Sequence, residues 1–138
     1  MAVLRLAVPA RNAVVAALTA LMDADAGGGT VKVYTGAIVA TPETAPSGTL
    51  LATFTFDPVS FGAPVNGSAA LDATPTLDTV GVAAGTAGWA RIADASGDTV
   101  MDCDVSATGG GGFLQLSTAT VSVGLNLSIT GGSLSQPM

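Results

Sequence analysis

The side chains able to do chemistry are few, and four of them cluster. Asp94, Asp98, Asp102 and Asp104 fall around one short turn, Asp94-Ala95-Ser96-Gly97-Asp98. A calcium ion takes about six to eight oxygen ligands, and a carboxylate-rich hairpin supplies several. The ordered calcium-loop spacing D-x-[DN]-x-[DN]-G is missing, however. The turn therefore reads first as a solvated acidic hairpin opened by Asp94. Paired carboxylates also run glycoside hydrolysis. The one glutamate, Glu43, lies in a loop between Pro42 and Pro46, and we expect no enzyme activity. Gly109 to Gly112 have the look of a phosphate loop. They lack the Lys and Ser/Thr that complete one, and no helical pattern follows, so a flexible hairpin tip is expected. Trp89 and Arg91 share a strand face and could stack a ligand; a core Trp beside an Arg that packs through its stem is the simpler reading. Cys103 is expected to be a small, buried, reduced strand residue.

The inventory excludes more than it offers. The chain has 138 residues, which fits one domain. Four Lys and Arg face ten Asp and Glu, for a net charge of −6. So few cations cannot neutralise many phosphates, so no nucleic-acid partner is expected. There is no His, which removes the commonest general base and the commonest metal ligand. A single Cys makes neither an internal disulfide nor a zinc cluster. We expect no cofactor and no metal. Charged residues make up 10% of the chain against a usual value of about 25%, and the mean hydropathy is +0.59. Free monomers usually cover themselves with mixed charges; this composition expects a partner surface.

Elements follow from periodicity and punctuation. Residues 1–11 read as an extended arm, with Pro9 blocking an early helix. Asn12 is placed to cap a helix over about 12–25, whose stripe is Val14, Val15, Leu18, Leu21 and Met22. Asp23 and Asp25 near its end oppose the helix dipole, and Gly27 to Gly29 stop it. Arg5, Arg11, the run Ala13 to Met22 and Ala24-Asp25-Ala26 have the outline of a secretory signal, but we read the segment as retained. The run is too short to cross a bilayer, which needs about 20 residues, and no membrane partner is expected.

Strands begin near residue 30. Val31 and Val33 alternate with Lys32 and Tyr34; Leu50, Ala52, Phe54 and Phe56 alternate with Leu51, Thr53 and Thr55. A bend over Asp57 to Gly67 follows, with Phe61 and Val65 expected to pin it. Thr86 to Ala93 and Thr99 to Val105 flank the acidic turn, where Gly97 supplies the positive φ of a short hairpin loop. Thr99, Met101 and Cys103 then share one face, and Val100, Asp102 and Asp104 the other. Leu114 and Leu116 make a short strand. The run Val121, Val123, Leu125, Leu127 and Ile129 alternates with small polar residues and predicts one long strand. From Val105 onward there is no charge. A strand without Lys, Glu or Pro is unguarded against edge pairing, so it lies centrally or under another subunit. The pattern predicts an all-β domain over 12–138, a sandwich or jelly roll with one short N-terminal helix.

Several fragments carry a resemblance. Val33-Tyr34-Thr35-Gly36, Ser47-Gly48-Thr49-Leu50-Leu51-Ala52, Phe61-Gly62, Gly85-Thr86-Ala87-Gly88-Trp89-Ala90-Arg91-Ile92, then Asp94, Ser96-Gly97, Val100 and the Val121 to Ile129 run resemble a small tailed-bacteriophage virion protein. The resemblance spans about residues 31–130 and includes no catalytic signature. It implies a β-rich structural component at the virion surface, of capsid decoration (cement) type, assembled in the host cytoplasm. Its partners would be the major capsid protein or other virion subunits and further copies of itself, with a trimer as the expected form. A head–tail or tail-tip component is the alternative, as is a carbohydrate- or calcium-binding receptor module. For contacts we single out Val3, Leu4, Leu6 and Val8 on the arm, and Thr120, Ser122, Asn126 and Ser128 on the polar side of the last run.

Overall fold

The computed structural model describes residues 2–24, 28–57, 59–74 and 76–137. Asp25, Ala26 and Gly27 of the expected helix end, and Pro58 of the expected bend, lie outside these residues. Ala2 to Ala7 carry neither helix nor strand, and the helix α1 runs Val8–Met22. It starts about one turn earlier than Asn12, so the free arm is shorter than 1–11. Pro9 does not bar the start because it sits in the first turn, where its missing N–H has no partner to lose. Asn12 is no cap; its Oδ1 accepts the backbone N–H of Gly67 at 2.7 Å. Arg11 donates from Nε to the Gln136 carbonyl at 2.9 Å and from Nη2 to the Asn66 carbonyl at 2.6 Å. These bonds fasten the first turns of α1 to the body. The buried stripe is Val15, Leu18 and Met22, while Val14 and Leu21 stand in water. At the other end Asp23 Oδ1 accepts the N–H of Ser60 at 2.9 Å.

Nine strands follow among the described residues: β1 Thr30–Thr35, β2 Leu50–Thr55, β3 Ser68–Ala70, β4 Leu77–Val80, β5 Gly85–Ala93, β6 Thr99–Ala107, β7 Leu114–Leu116, β8 Thr120–Val121 and β9 Asn126–Ser135. The order is β2-β1-β5-β6-β7-β9-β3, with β4 also on β9 and β8 on β5. Every pairing is antiparallel except β6 with β7. The chain is mostly β-strand with one short helix, and the sheet curls into a half-barrel. Its two ends approach: Val82, just past β4, donates its N–H to the Leu51 carbonyl of β2 at 2.8 Å. The inner face holds Val31, Val33, Ala52, Phe54, Ala90, Ile92, Cys103, Leu114, Leu116, Leu127 and Ile129. Val15 and Met22 of α1 join this core.

Four local readings change. Leu51 was expected opposite Ala52 and Phe54, yet it is fully buried with them. The register slips between Val33 and Tyr34, so Leu51 is the extra residue of a bulge, and a bulge re-aims its side chain. The Val65 side chain does not pin the bend; it is exposed, whereas Phe61 is buried as expected. The long last strand is broken. Ser122 to Leu125 form a turn, with Gly124 at φ 82°, so β8 and β9 are separate elements. β9 itself lies centrally, with Ile129 opposite Leu77 of β4 on one side and Leu116 of β7 on the other.

The fourth change concerns Gly109 to Gly112. They do not tip a hairpin, because the strands they join run parallel, with Val105 opposite Leu114. A parallel return usually needs about a dozen residues or more. Here the loop folds back on itself instead: a Cβ on Gly112 would stand 2.8 Å from the Ser106 backbone nitrogen. Gly112 donates its N–H to Ser106 Oγ and Gly109 its own to Gln115 Oε1, both at 3.0 Å.

Candidate functional site

The densest polar cluster lies on the outer face of the β1–β5–β6 pairing. Register sets Lys32 beside Arg91 and Arg91 beside Asp102, and in the next row Tyr34 beside Trp89. Arg91 meets Asp102 end to end, Nε to Oδ1 at 2.7 Å and Nη2 to Oδ2 at 2.8 Å. The two side chains are only 10% and 4% exposed. This bidentate bond, ahead of the burial that opposes it, holds the Arg91 pKa above its ordinary value. The guanidinium carbon lies 5.5 Å from the Trp89 ring centroid, and Tyr34 stacks on Trp89 at 4.9 Å and 20°. Burial raises the Tyr34 pKa; Arg91 pulls it down and Asp102 pushes it up by smaller amounts. Arg91 was expected to pack by its stem; the whole side chain is nearly closed to water, with its guanidinium paired to Asp102.

Trp89 has no exposed surface. A receptor reader needs an aromatic face open to its ligand, and this one is covered. The Trp89 Nε1 has no hydrogen-bond partner among the described residues. The cluster is therefore built like a second, smaller core, in which a planar cation and two rings close the outer side of the sheet.

The acidic hairpin divides its carboxylates. Asp94 opens the turn as expected: its Oδ1 accepts the Asp98 N–H at 2.9 Å, and Gly97 takes φ 93°. Asp102 is held by Arg91. Asp104 accepts the Phe113 N–H at 2.9 Å. Among the described residues no group of three or more His, Cys, Asp or Glu is placed to hold a metal. Glu43 is exposed, and its charge adds slightly to the raised Arg91 pKa. Cys103 is a buried free thiol, and burial, with Asp104 and Asp102 behind it, pushes its pKa up to about 12.

No protein-family model matches this chain. Neither a curated protein nor a solved structure matches it either.

The surface then becomes the candidate site. On the arm Val3 is 74% and Leu4 80% exposed and Leu6 is half-buried; Val8, expected on the arm, is exposed at the start of α1. The helix adds exposed Val14 and Leu21 on its outer side. Among the polar residues singled out near the C-terminus, Thr120, Ser122 and Asn126 are exposed and Ser128 is half-buried. The break in the last strand gathers them around a feature the sequence reading missed. Val80, Val82 and Val123 are all exposed, and two bonds between the 81 and 122–125 turns bring them together. Gly81 donates to the Leu125 carbonyl and Gly124 to the Gly81 carbonyl, each at 2.9 Å. Val80 stands opposite Asn126, and Asp78 opposite Ser128, whose Oγ donates to Asp78 Oδ1 at 2.5 Å. Sequence periodicity singled out neither Val80 nor Val82, because their exposure depends on β4 closing the curl. Among the described residues no helix is long and apolar enough to cross a membrane.

Proposed function

We propose that the protein is a viral structural subunit of capsid decoration type, which binds the outside of a tailed-bacteriophage head and stabilises the shell. The observation that carries this reading is the exposed apolar arm and helix side, Val3, Leu4, Val8, Val14 and Leu21, on a chain with 10% charged residues. Large apolar side chains left in water on so sparsely charged a chain favour a contact surface. An acidic subunit is repelled by packaged DNA, which favours an outward position. It acts without catalysis: whatever binds only the assembled shell raises its stability by mass action. A homo-oligomer, with three copies on a local threefold site, suits that role. A sandwich or jelly-roll arrangement of the strands belongs to the same proposal. The head–tail or tail-tip position is kept as the second reading, because the same sticky arm would serve a connector. The buried Trp89 weighs against a glycan reader.

The test is addition of the purified chain to heads of the phage that encodes it, prepared without it. Co-sedimentation, a raised shell melting temperature and density outside the shell by electron cryo-microscopy are expected. A chain that stays in the supernatant overturns the reading, and a chain found at the neck or tail tip moves it to the second one.

A further inference from the structure

We propose that the N-terminal arm of one copy docks on the Val80–Val82–Val123 patch of another, with Arg5 of the arm facing Asp78 of the patch. This deepens the assembly reading above by naming a partner, a second copy of this chain, and the two surfaces that meet.

Charge is the first argument. Residues 1–22 hold Arg5 and Arg11 and no acid, whereas all ten acids lie in residues 23–138 against Lys32 and Arg91 alone. Arg11 is occupied with the Asn66 and Gln136 carbonyls. Arg5 is exposed on the arm. Two copies can therefore attract through unlike ends although the whole chain is acidic.

Chemistry is the second. The arm presents Val3 and Leu4 at 74% and 80% exposure. The patch presents Val82 at 61% and Val123 at 72%, beside Val80. Around these valines stand Ser122, Asn126, Ser128 and the exposed carboxylate of Asp78. An apolar centre rimmed by uncharged polar groups and one acid complements an apolar segment with one cation.

Reach is the third, and it favours a contact between copies. Arg11 ties the root of α1 to Gln136, just past the C-terminal end of β9, while the patch lies at the N-terminal end, beside Asn126. β9 has ten residues, so those ends are about 30 Å apart at roughly 3.3 Å per residue. Ala2 to Ala7 stretch to about 21 Å at most. An arm rooted at the far end of its own last strand is better placed to reach a neighbour's patch than its own. Each copy offers one arm and one patch, so the contact closes a ring or exchanges within a pair.

Disulfide trapping between separately prepared chains tests this, in a Cys103→Ser background. Leu4→Cys protein mixed with Val82→Cys protein and gently oxidised should give a linked heterodimer, in excess over Leu4→Cys mixed with Ala95→Cys, an exposed site in the 94–98 hairpin, at the end of β5 opposite the one that pairs with Val121. Sedimentation velocity on the full chain provides the second readout. Arg5→Asp and Asp78→Arg should each reduce the oligomer to monomer, and the two together should restore it. A linked product no greater than the control, or an oligomer indifferent to both charge reversals, overturns the proposal. Shell co-sedimentation of the unmodified chain is scored separately: a chain that fails these assays yet binds heads sinks only the arm exchange, and one that passes them yet ignores heads sinks only the decoration role.

Discussion

Arg91 and Asp102 face each other across β5 and β6 and bind through Nε and Nη2 of the one and both carboxylate oxygens of the other, at 2.7 and 2.8 Å, beside the ring of Trp89. The pair is nearly closed to water, so its two halves depend on each other. Removing one charge strands the other in a poorly solvated place. Asp102→Asn should cost about 3–5 kcal/mol. Replacing both, Arg91→Met with Asp102→Leu, should cost far less, since a buried pair barely repays its own desolvation. Urea midpoints of wild type and the two variants check this. An unchanged midpoint for Asp102→Asn would mean that water screens the pair after all.

Cys103 makes stability fall in alkali. Its folded pKa, about 12, stands above its ordinary value of 9.0. The native state thus keeps a proton that the unfolded chain gives up above pH 9. Its contribution is complete below pH 9 and is lost as pH climbs toward 12, at about 1.4 kcal/mol per pH unit. Wild type should lose about 1 kcal/mol between pH 9 and pH 10 relative to Cys103→Ala, because the unfolded thiol is already half titrated at pH 9. Denaturation at the two pH values, under reducing conditions, reads the difference. Parallel pH profiles for the two proteins would contradict it.

The parallel return between β6 and β7 depends on absent side chains. Gly112→Ala would drive a methyl to 2.8 Å from the Ser106 backbone, and overpacking of this kind costs about 1–3 kcal/mol. Gly131 has open space around its Cβ position and no positive φ. Gly131→Ala should be neutral or stabilising by about 0.4–1 kcal/mol. Melting temperatures of the two variants should move in opposite directions or differ clearly; equal shifts would refute the close-approach account.

The acidic hairpin should ignore chelators. Asp94 serves its own turn, Asp102 serves Arg91 and Asp104 serves the Phe113 N–H. A melting curve in EDTA should overlay one in millimolar calcium. A melting temperature that drops on chelation would reopen the cation reading.

What was legible was local. The 94–98 hairpin could be read because Asp94 and Gly97 specify it within five residues. The division of β6 into a core face with Met101 and Cys103 and an outer face with Asp102 follows from strict alternation and holds, but Val100, expected beside Asp102, packs against the core because the register slips between Ile92 and Ala93. Where a distant residue intervened, alternation misled. The run from Val121 to Ile129 reads as one strand, yet Gly124 turns the chain to meet the carbonyl of Gly81, more than forty positions earlier. Val14 and Leu21 look as core-facing as Val15 and Met22, because the choice between flanks of one helical stripe rests on Arg11 and Asn12, which fix the helix to residues near 66 and 136.

The sequence by itself determined the scarcity of charge, the all-β character, the single helix and the turn chemistry, since propensity, periodicity and glycine placement act over a few residues. Only the tertiary structure decided that Arg91 would close on Asp102, that Leu51 would turn inward at a bulge, and that Val80, Val82 and Val123 would meet in water. Those outcomes depend on strand register and on the curl that brings β4 toward β2, and register is a property of pairs of segments that neither segment encodes alone.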